Sequence, residues 1–249
     1  PLYGIPFSVK DNIDVAGLPT TAACPSFSYI PDRSATVVER IEKAGAICIG
    51  KTNMDQFATG LNGTRSPYGP CGSAFNPMMV AGGSSSGSAV SVALQQVSFS
   101  IGTDTGGSGR IPAGLNNIIG LKPTVGTLSS QGLVPCCPSL DCPSIFSLNV
   151  EDAIEIAKIA FKSDSSDPSL RYDSARCNFN ITNFNNAFNV YIPQLNQLEF
   201  FGNEEGKMLY EKALTTLSEI GATIKHIDFE PFIEASKLLF DGPLVSERY

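Results

Sequence analysis

Residues 80–94 read VAGGSSSGSAVSVAL, a cluster of glycines and serines that runs directly into small apolar residues. The small side chains from 85 to 96 predict a helix that packs closely against its neighbours. VSFSIGTD at 97–104 predicts a strand, and TGGSGRIPAGLNN at 105–117 predicts a glycine-rich turn that opens toward a short helix. Such a turn directs free backbone N–H groups at whatever lies beside it. The stretch therefore predicts a helix, a strand and a turn in succession, with Ser108 in the turn.

Strand and helix patterns alternate through the rest of the chain. In YGIPFSVKD at 3–11 the apolar residues alternate, so Lys10 ends a predicted strand on the face opposite the apolar row. SATVVERIEKAG at 34–45 predicts a helix with Ser34 as its N-cap, and AICIG after it predicts a buried strand. VEDAIEIAKIAFK at 150–162 predicts an amphipathic helix, and the polar residues 163–187 predict a surface excursion. The rhythm predicts an α/β fold.

Composition excludes several classes of protein. The 249 residues suffice for one large domain, and 42% hydrophobic with 16% charged residues indicates a soluble globular protein. No apolar run approaches the roughly 20 residues needed to cross a membrane. The net charge of −7 argues against a nucleic-acid partner, because such proteins usually carry a basic footprint. We therefore expect a small-molecule substrate.

Cysteine usage predicts reduced thiols and a cytoplasmic location. The seven cysteines include no C-x-x-C pair, and the chain opens with PLYGIPFSVKDN rather than a signal peptide. Cys136, Cys137 and Cys142 cluster in PCCPSLDC, but the single histidine and the lack of pairing argue against a metal site.

Two short motifs offer alternatives. GSSSG at 83–87 matches G-x-S-x-G, which would make Ser85 a nucleophile with His226 as its base. His226, however, alternates within ATIKHIDF like a strand residue. GAICIGKT at 45–52 matches the phosphate-binding pattern G-x-x-x-x-G-K-[ST], yet its middle residues are typical of a buried strand rather than an inward-turned loop.

A lysine offers the remaining route to an activated serine. A lysine is a base when it is neutral, and burial lowers its pKa because the charged form loses solvation. Lys10 is the candidate. Asp11 and Asp14 would raise its pKa if their carboxylates faced it, but consecutive strand residues point to opposite faces.

GGSSSGSAV, GTDTGGSGRIPA and FSVKDNI together resemble the amidase signature family of serine hydrolases. The resemblance covers the chain from about Pro1 to Val150. It implies a mixed, twisted β-sheet core flanked by α-helices. It also implies that family members begin before the strand of Lys10 and continue past Tyr249, so we expect 1–249 to be part of a single domain.

The resemblance assigns a Ser-cisSer-Lys triad without a metal or organic cofactor. Ser108 is the implied nucleophile, Ser84 the bridging serine after a cis Gly83–Ser84 peptide, and Lys10 the base. The implied oxyanion hole consists of the backbone N–H groups of Thr105, Gly106, Gly107 and Ser108. The remaining polar residues are expected to support the turns: Ser85, Ser88, Asp104 and Arg110.

Within the family, KDNIDVAGLPTTAACP and PSLDCPSIF are most similar to the allophanate hydrolases. Allophanate, urea-1-carboxylate, is an anion, and arginine suits carboxylate binding. The resemblance makes Arg248 that residue, puts Phe240 where the family has a substrate-binding tyrosine, and adds the backbone at Gly60. It also implies a biotin-dependent urea carboxylase as supplier and leaves a homodimer open.

Two alternatives remain. The glutamyl-tRNA amidotransferases have an amidase chain that shares the core motifs, although it typically has SLDQ and GGSIRQPA where this chain has SLDC and GGSGRIPA. The chain is otherwise a non-catalytic interaction module that has lost the rest of the fold. The intact Lys10, Ser84 and Ser108 argue against the second alternative.

Overall fold

The computed structural model describes residues 1–161, 167–171, 179 and 187–248, without the side chain of 248. The chain forms two units, one of residues 1–179 with 246–249 and one of residues 180–245. The expectation of a single domain over 1–249 stays a prediction.

A mixed five-stranded sheet forms the centre of the first unit. Its strands lie in the order β2-β1-β3-β5-β4, with β1 parallel to β2 and β3, and β5 antiparallel to β3 and β4. The strands are β1 (Pro6–Lys10), β2 (Ile47–Thr52), β3 (Phe99–Thr103), β4 (Ile119–Leu121) and β5 (Pro143–Ser147). Because β1 and β3 are parallel neighbours, the residues at their carboxyl ends, Lys10 and Thr103, come to the same edge of the sheet.

Helices cover this sheet: α1 (Thr36–Lys43), α2 (Ser86–Ala93), α3 (Arg110–Leu115) and α4 (Val150–Ala160). The predicted α/β fold, a mixed sheet flanked by helices, is confirmed. The main core lies between the sheet and helices α1 and α4, where side chains such as Phe7, Val38 and Ile156 are at most 3% exposed. The rings of Phe7 and Phe99 stack within it, 5.1 Å apart. Helix α2 packs on the sheet through Ala89 and Val92, whose small side chains permit a close approach.

Two local predictions were wrong in this unit. Helix α1 has Ala35 at its N-cap, and the Ser34 hydroxyl instead accepts a hydrogen bond from the Ala16 amide and donates one to Glu42. Strand β2 is not buried, because it lies at the edge of the described sheet and leaves Ile47 and Ile49 more than half exposed, at 54% and 56%. The 45–52 segment is nonetheless a strand rather than a phosphate-binding loop.

The second unit contains two parallel strands, β6 (Phe188–Pro193) and β7 (Ala222–Ile227), and two helices, α5 (Glu204–Glu219) and α6 (Glu230–Phe240). His226 lies on β7 as predicted, with Nδ1 3.0 Å from the Pro193 carbonyl oxygen. The short 3-10 helices of the chain are Pro25–Phe27, Gln56–Ala58, Leu195–Gln197 and Pro243–Arg248. The surface excursion predicted at 163–187 falls largely outside the described residues. None of the described helices is both long and apolar enough to span a membrane.

Candidate active site

Lys10 lies at the carboxyl end of β1 and is fully buried. Its Nζ donates hydrogen bonds to Ser84 Oγ at 2.7 Å and to Thr103 Oγ1 at 2.6 Å. Both acceptors are hydroxyl groups, so neither carries a charge that would compensate a buried ammonium. The lysine is therefore held in contact with the first serine cluster at the edge of the sheet.

Burial lowers the pKa of Lys10 from 10.5 to about 7, because the ammonium form loses its solvation. Cys136 and the carboxylates of Asp141, Asp55 and Asp104 oppose this effect, in that order. A neutral amine is thus accessible near neutral pH, which is what a general base requires.

The two aspartates that follow Lys10 in the sequence are engaged elsewhere. Asp11 accepts hydrogen bonds from the Thr21 amide and hydroxyl, and its Oδ1 lies 3.5 Å from Lys51 Nζ. Asp14 accepts hydrogen bonds from the hydroxyls of Thr20 and Tyr29, both at 2.8 Å. Their carboxylates therefore make contacts away from the amine of Lys10.

Ser84 is buried and follows a cis peptide bond from Gly83. Asp55 lies directly against this turn: its amide donates to the Ser84 carbonyl oxygen at 3.1 Å, and its carboxylate accepts from the amides of Gly63 and Arg65 at 3.0 and 2.7 Å. A Cβ on Gly83 would lie 2.1 Å from Asp55 Oδ2. Glycine at 83 is thus the residue that allows Asp55 to approach the backbone of Ser84.

Ser85 joins the two serine clusters. Its amide donates to the Ser108 carbonyl oxygen at 3.3 Å, and its buried hydroxyl donates to the Thr103 carbonyl oxygen at 3.0 Å. The hydroxyl is therefore engaged with the backbone of β3, which leaves it unavailable as the nucleophile of a G-x-S-x-G motif. Ser88 also has a partner, since its Oγ lies 2.8 Å from Thr52 Oγ1.

The turn that carries Ser108 is organised by Asp104. This buried carboxylate accepts hydrogen bonds from the Gly107 amide at 2.7 Å, from the Arg110 amide at 3.1 Å and from two nitrogens of the Arg110 guanidinium at 2.9 and 3.0 Å. Although burial alone would raise it, the pKa of Asp104 is lowered by these bonds to Arg110 and Gly107. Asp104 and Arg110 thus shape the turn from within.

This arrangement narrows the predicted set of oxyanion donors. The Gly107 N–H is already committed to Asp104. The amides of Thr105, Gly106 and Ser108 make no hydrogen bond within the described parts of the chain. Ser108 is 3% exposed, at the start of the segment that leads into α3.

The PCCPSLDC segment, residues 135–142, forms a loop beside this turn. Asp141 accepts a hydrogen bond from the Thr105 hydroxyl at 2.6 Å and further bonds from the amides of Cys136 and Cys137, the shortest at 2.9 Å and 3.1 Å. One carboxylate therefore fixes both the loop and the first residue of the proposed oxyanion turn.

The predicted substrate-binding residues fall in different places. Gly60 lies against Asp55, and a Cβ there would meet Oδ2 at 2.7 Å. Phe240 ends helix α6 in the second unit. Arg248 ends the 3-10 helix Pro243–Arg248, and its neighbour Glu247 contacts the 135–142 loop. The roles of all three stay predictions.

The cysteines of the loop are buried and free. Burial raises the pKa of Cys142 to about 11, and its thiol donates to the Pro123 carbonyl oxygen at 3.3 Å. Among the residues that the structure describes, no set of three or more His, Cys, Asp or Glu side chains is arranged to hold a metal ion.

Sequence reasoning missed three residues that organise the site: Asp55, Thr103 and Asp141. The acidic pair carried the only available signal, because Asp in a loop beside glycines commonly accepts backbone amide hydrogen bonds. Thr103 could have been found by its place, since it ends the strand that was predicted next to the glycine-rich turn.

Comparison with known proteins agrees with this geometry. The amidase family model matches residues 1–248. The urea amidolyase of Saccharomyces cerevisiae is 50% identical over 249 residues, which cover 100% of this chain and 13% of that protein. The amidase chain of the glutamyl-tRNA(Gln) amidotransferase of Exiguobacterium sibiricum is 41% identical over 235 residues, which cover 91% of this chain and 48% of that protein.

A solved structure shares the fold. The allophanate hydrolase of Kluyveromyces lactis matches with a TM-score of 0.93 at 50% identity, covering 100% of this chain and 40% of that one. The chain thus spans less than half the length of each of these relatives. On the family match and these identities, the chain belongs to the amidase family.

Proposed function

We propose that this chain carries the catalytic centre of an amide hydrolase whose substrate is allophanate. The observation that carries the proposal is the contact of the buried Lys10 Nζ with Ser84 Oγ at 2.7 Å, at a lysine whose pKa burial lowers to about 7. A buried amine that is neutral near pH 7 and touches a serine hydroxyl can remove a proton through that hydroxyl.

In the proposed mechanism, Ser108 attacks the carbonyl carbon of the amide. Its proton passes through the Ser84 hydroxyl to neutral Lys10. The tetrahedral oxyanion accepts hydrogen bonds from the amides of Thr105, Gly106 and Ser108, which have no other partner among the described residues. One donor of this kind typically stabilises the transition state by about 3 kcal/mol.

Collapse of the tetrahedral intermediate breaks the C–N bond. The proton held on Lys10 returns through Ser84 to the leaving nitrogen, so ammonia departs and an acyl ester remains on Ser108. Water then attacks the ester with the same proton path, which restores the Ser108 hydroxyl and releases the acid. The ultimate products from allophanate are ammonia and carbon dioxide.

Similarity supports allophanate as the substrate. Urea amidolyase and allophanate hydrolase both match over 100% of this chain at 50% identity. Allophanate carries a carboxylate, and we assign Arg248 to bind it because a guanidinium pairs with carboxylates in a bidentate geometry. We further propose contacts from the backbone at Gly60 and from Phe240, whose ring lacks the hydroxyl of the tyrosine expected there.

Allophanate must be supplied by a reaction that adds a carboxylate to urea. We propose a biotin-dependent urea carboxylase for this step, whose product this chain consumes. We also propose that the reaction takes place in the cytoplasm, because the described cysteines are free thiols.

Glutamine hydrolysis is the second candidate. It is favoured by the 41% identity to the amidase chain of a glutamyl-tRNA(Gln) amidotransferase. Glutamine carries an ammonium group in addition to its carboxylate, so a site built for allophanate would bind it weakly. Competition between the two amides therefore separates the candidates.

The test measures ammonia release by the native protein from allophanate, malonamide and glutamine, alone and in competition. We expect turnover of allophanate, weak turnover of malonamide and no inhibition by millimolar glutamine. Ser108→Ala should abolish both turnover and the covalent acyl-enzyme, whereas Ser91→Ala, which alters a buried hydroxyl on α2, should keep the activity. Preferential turnover of glutamine would replace the proposed substrate, and turnover by Ser108→Ala would contradict the mechanism.

A further inference from the structure

The 135–142 loop is held at two points by carboxylates. Asp141 anchors its carboxyl-terminal part to Thr105. Glu247, which is 110 residues from Cys137 in the sequence, anchors its middle. The second anchor has no role in the mechanism above.

Glu247 makes three contacts with this loop. Oε2 accepts a hydrogen bond from the Ser139 amide at 3.0 Å and lies 3.3 Å from the Cys137 thiol, while Oε1 accepts from the Ser139 hydroxyl at 2.8 Å. The pKa of Glu247 is lowered, chiefly by the bond from the Ser139 amide. Hydrogen bonds to a charged acceptor are roughly twice as strong as those between neutral groups.

Ser139 is held on each of its polar groups. Its amide and hydroxyl donate to Glu247, and its carbonyl oxygen accepts a hydrogen bond from the Arg171 guanidinium at 3.0 Å. The backbone of the loop also closes on itself, since the amides of Leu140 and Asp141 both donate to the Cys137 carbonyl oxygen at 2.8 Å. The loop is thus a rigid support to which Glu247 is attached.

Arg248 follows Glu247 directly, and adjacent Cα atoms lie about 3.8 Å apart. Three contacts on residue 247 therefore restrict where the backbone of residue 248 can lie. The same loop fixes Thr105 through Asp141, so one support carries both the oxyanion turn and the segment of the proposed carboxylate-binding arginine.

We propose that Glu247 is a positioning residue that fixes Arg248 relative to the oxyanion turn and thereby sets the preference of the site for anionic amides. The inference deepens the proposed function and rests on it. It predicts that the loss of Glu247 weakens recognition of the substrate carboxylate while leaving the chemistry at Ser108 unchanged.

The first experiment compares Glu247→Ala and Glu247→Gln in the native protein with allophanate and with uncharged malonamide. We expect Glu247→Ala to raise KM for allophanate about tenfold, the loss of roughly one charge-assisted hydrogen bond, with little change in kcat. Malonamide kinetics should be unaffected. Glu247→Gln keeps one acceptor oxygen for Ser139 and should recover part of the affinity.

Glu155→Ala is the matched control, because Glu155 lies on α4, is exposed and pairs with Lys158 at 2.5 Å. It should leave both substrates unaffected. Equal losses for allophanate and malonamide in Glu247→Ala would assign a general structural role to Glu247 and overturn the inference.

A double-mutant cycle with Arg248→Ala tests the path of the effect. If Glu247 acts through Arg248, adding Glu247→Ala to Arg248→Ala should raise KM for allophanate no further. Additive losses would overturn the inference while allophanate turnover by the wild type still upheld the proposed function. A wild type that turns over glutamine but not allophanate would instead overturn the proposed function.

Discussion

Lys10 Nζ lies 2.7 Å from Ser84 Oγ, and its second acceptor, Thr103 Oγ1 at 2.6 Å, is also a hydroxyl. A buried lysine is more often paired with a carboxylate, which holds it in the charged form. Here the nearest partners are neutral, so burial dominates and the pKa falls to about 7. The site therefore selects an amine that gains and loses its proton at physiological pH.

The pH dependence of kcat/KM should follow this group. Because the active form is the neutral amine, we expect activity to be low at pH 5.5, to rise through an apparent pKa of about 7 and to level off above it. Lys10→Arg should lack this rise, since arginine stays protonated throughout. A wild-type profile that is flat from about pH 5.5 to 8.5 would show that Lys10 is not the base.

The same pKa links the stability of the fold to pH. The folded pKa, about 7, lies below the unfolded value of 10.5, so between these values the unfolded chain binds more protons than the folded one. The free energy of unfolding should therefore rise with pH across this window, by a few kcal/mol at about 1.4 kcal/mol per pKa unit.

Urea denaturation at several pH values checks this when the wild type is compared with Lys10→Met. The difference in unfolding free energy between the two should change in favour of the wild type as the pH rises from 7 toward 10. Lys158→Met, at an exposed position on α4, should show no such difference. Parallel pH dependences of the wild type and Lys10→Met would contradict a lowered folded pKa.

Much of the site could be predicted because its residues lie at the ends of regular elements. Alternation in FSVK placed Lys10 at the end of a strand, and the strand at 97–104 placed the glycine-rich turn after it. Parallel pairing of β1 with β3 then brings both ends to one edge of the sheet. Only local patterns were needed for this part.

The contacts between distant segments could not be predicted in this way. PSIFS became β5, which pairs with both β3 and β4, yet its five residues show neither alternation nor flanking turns that distinguish a strand from a loop. Asp55, Asp141 and Glu247 act through backbone amides of residues up to 110 positions away. Such amides leave no mark in the sequence, because any residue supplies one.

Asp141 should be needed for both turnover and stability. Asp141→Asn replaces one acceptor oxygen with an NH₂ group that faces donors, the Thr105 hydroxyl or the amides of Cys136 and Cys137. We expect kcat to fall about 10- to 100-fold and stability to fall by about 2–4 kcal/mol, as for a buried donor left unpaired. Loss of this charge also removes an influence that raises the pKa of Lys10, so the acid limb of the pH profile should move to lower pH.

The control for this variant is Asp152→Asn, which alters an exposed aspartate near the start of α4. It should lower stability by no more than about 0.5 kcal/mol and leave the pH profile unchanged. A wild-type kcat and pH profile in Asp141→Asn would mean that neither the Thr105 contact nor the charge on Asp141 matters to the reaction.

Gly83→Ala tests the close approach of Asp55 to the serine turn. The added Cβ would lie 2.1 Å from Asp55 Oδ2 and 2.6 Å from the Gly63 nitrogen, two atoms that are hydrogen-bonded to each other at 3.0 Å. Neither can give way without breaking that bond, so the backbone of Ser84 must shift. We expect the protein that still folds to have lost at least about 100-fold in kcat, because a displacement of about 1 Å in a catalytic group has this effect.

Gly114→Ala is the matched control, because Gly114 lies in α3 and a Cβ there would meet nothing within 4 Å. An exposed helical glycine replaced by alanine should raise the unfolding free energy by about 0.5–1 kcal/mol, with unchanged turnover. The two variants add the same methyl group, so thermal melting and kcat together separate a loss of fold from a displaced Ser84. If Gly83→Ala melts and turns over like the wild type, the contact of Asp55 with the turn does not hold Ser84 in its catalytic position.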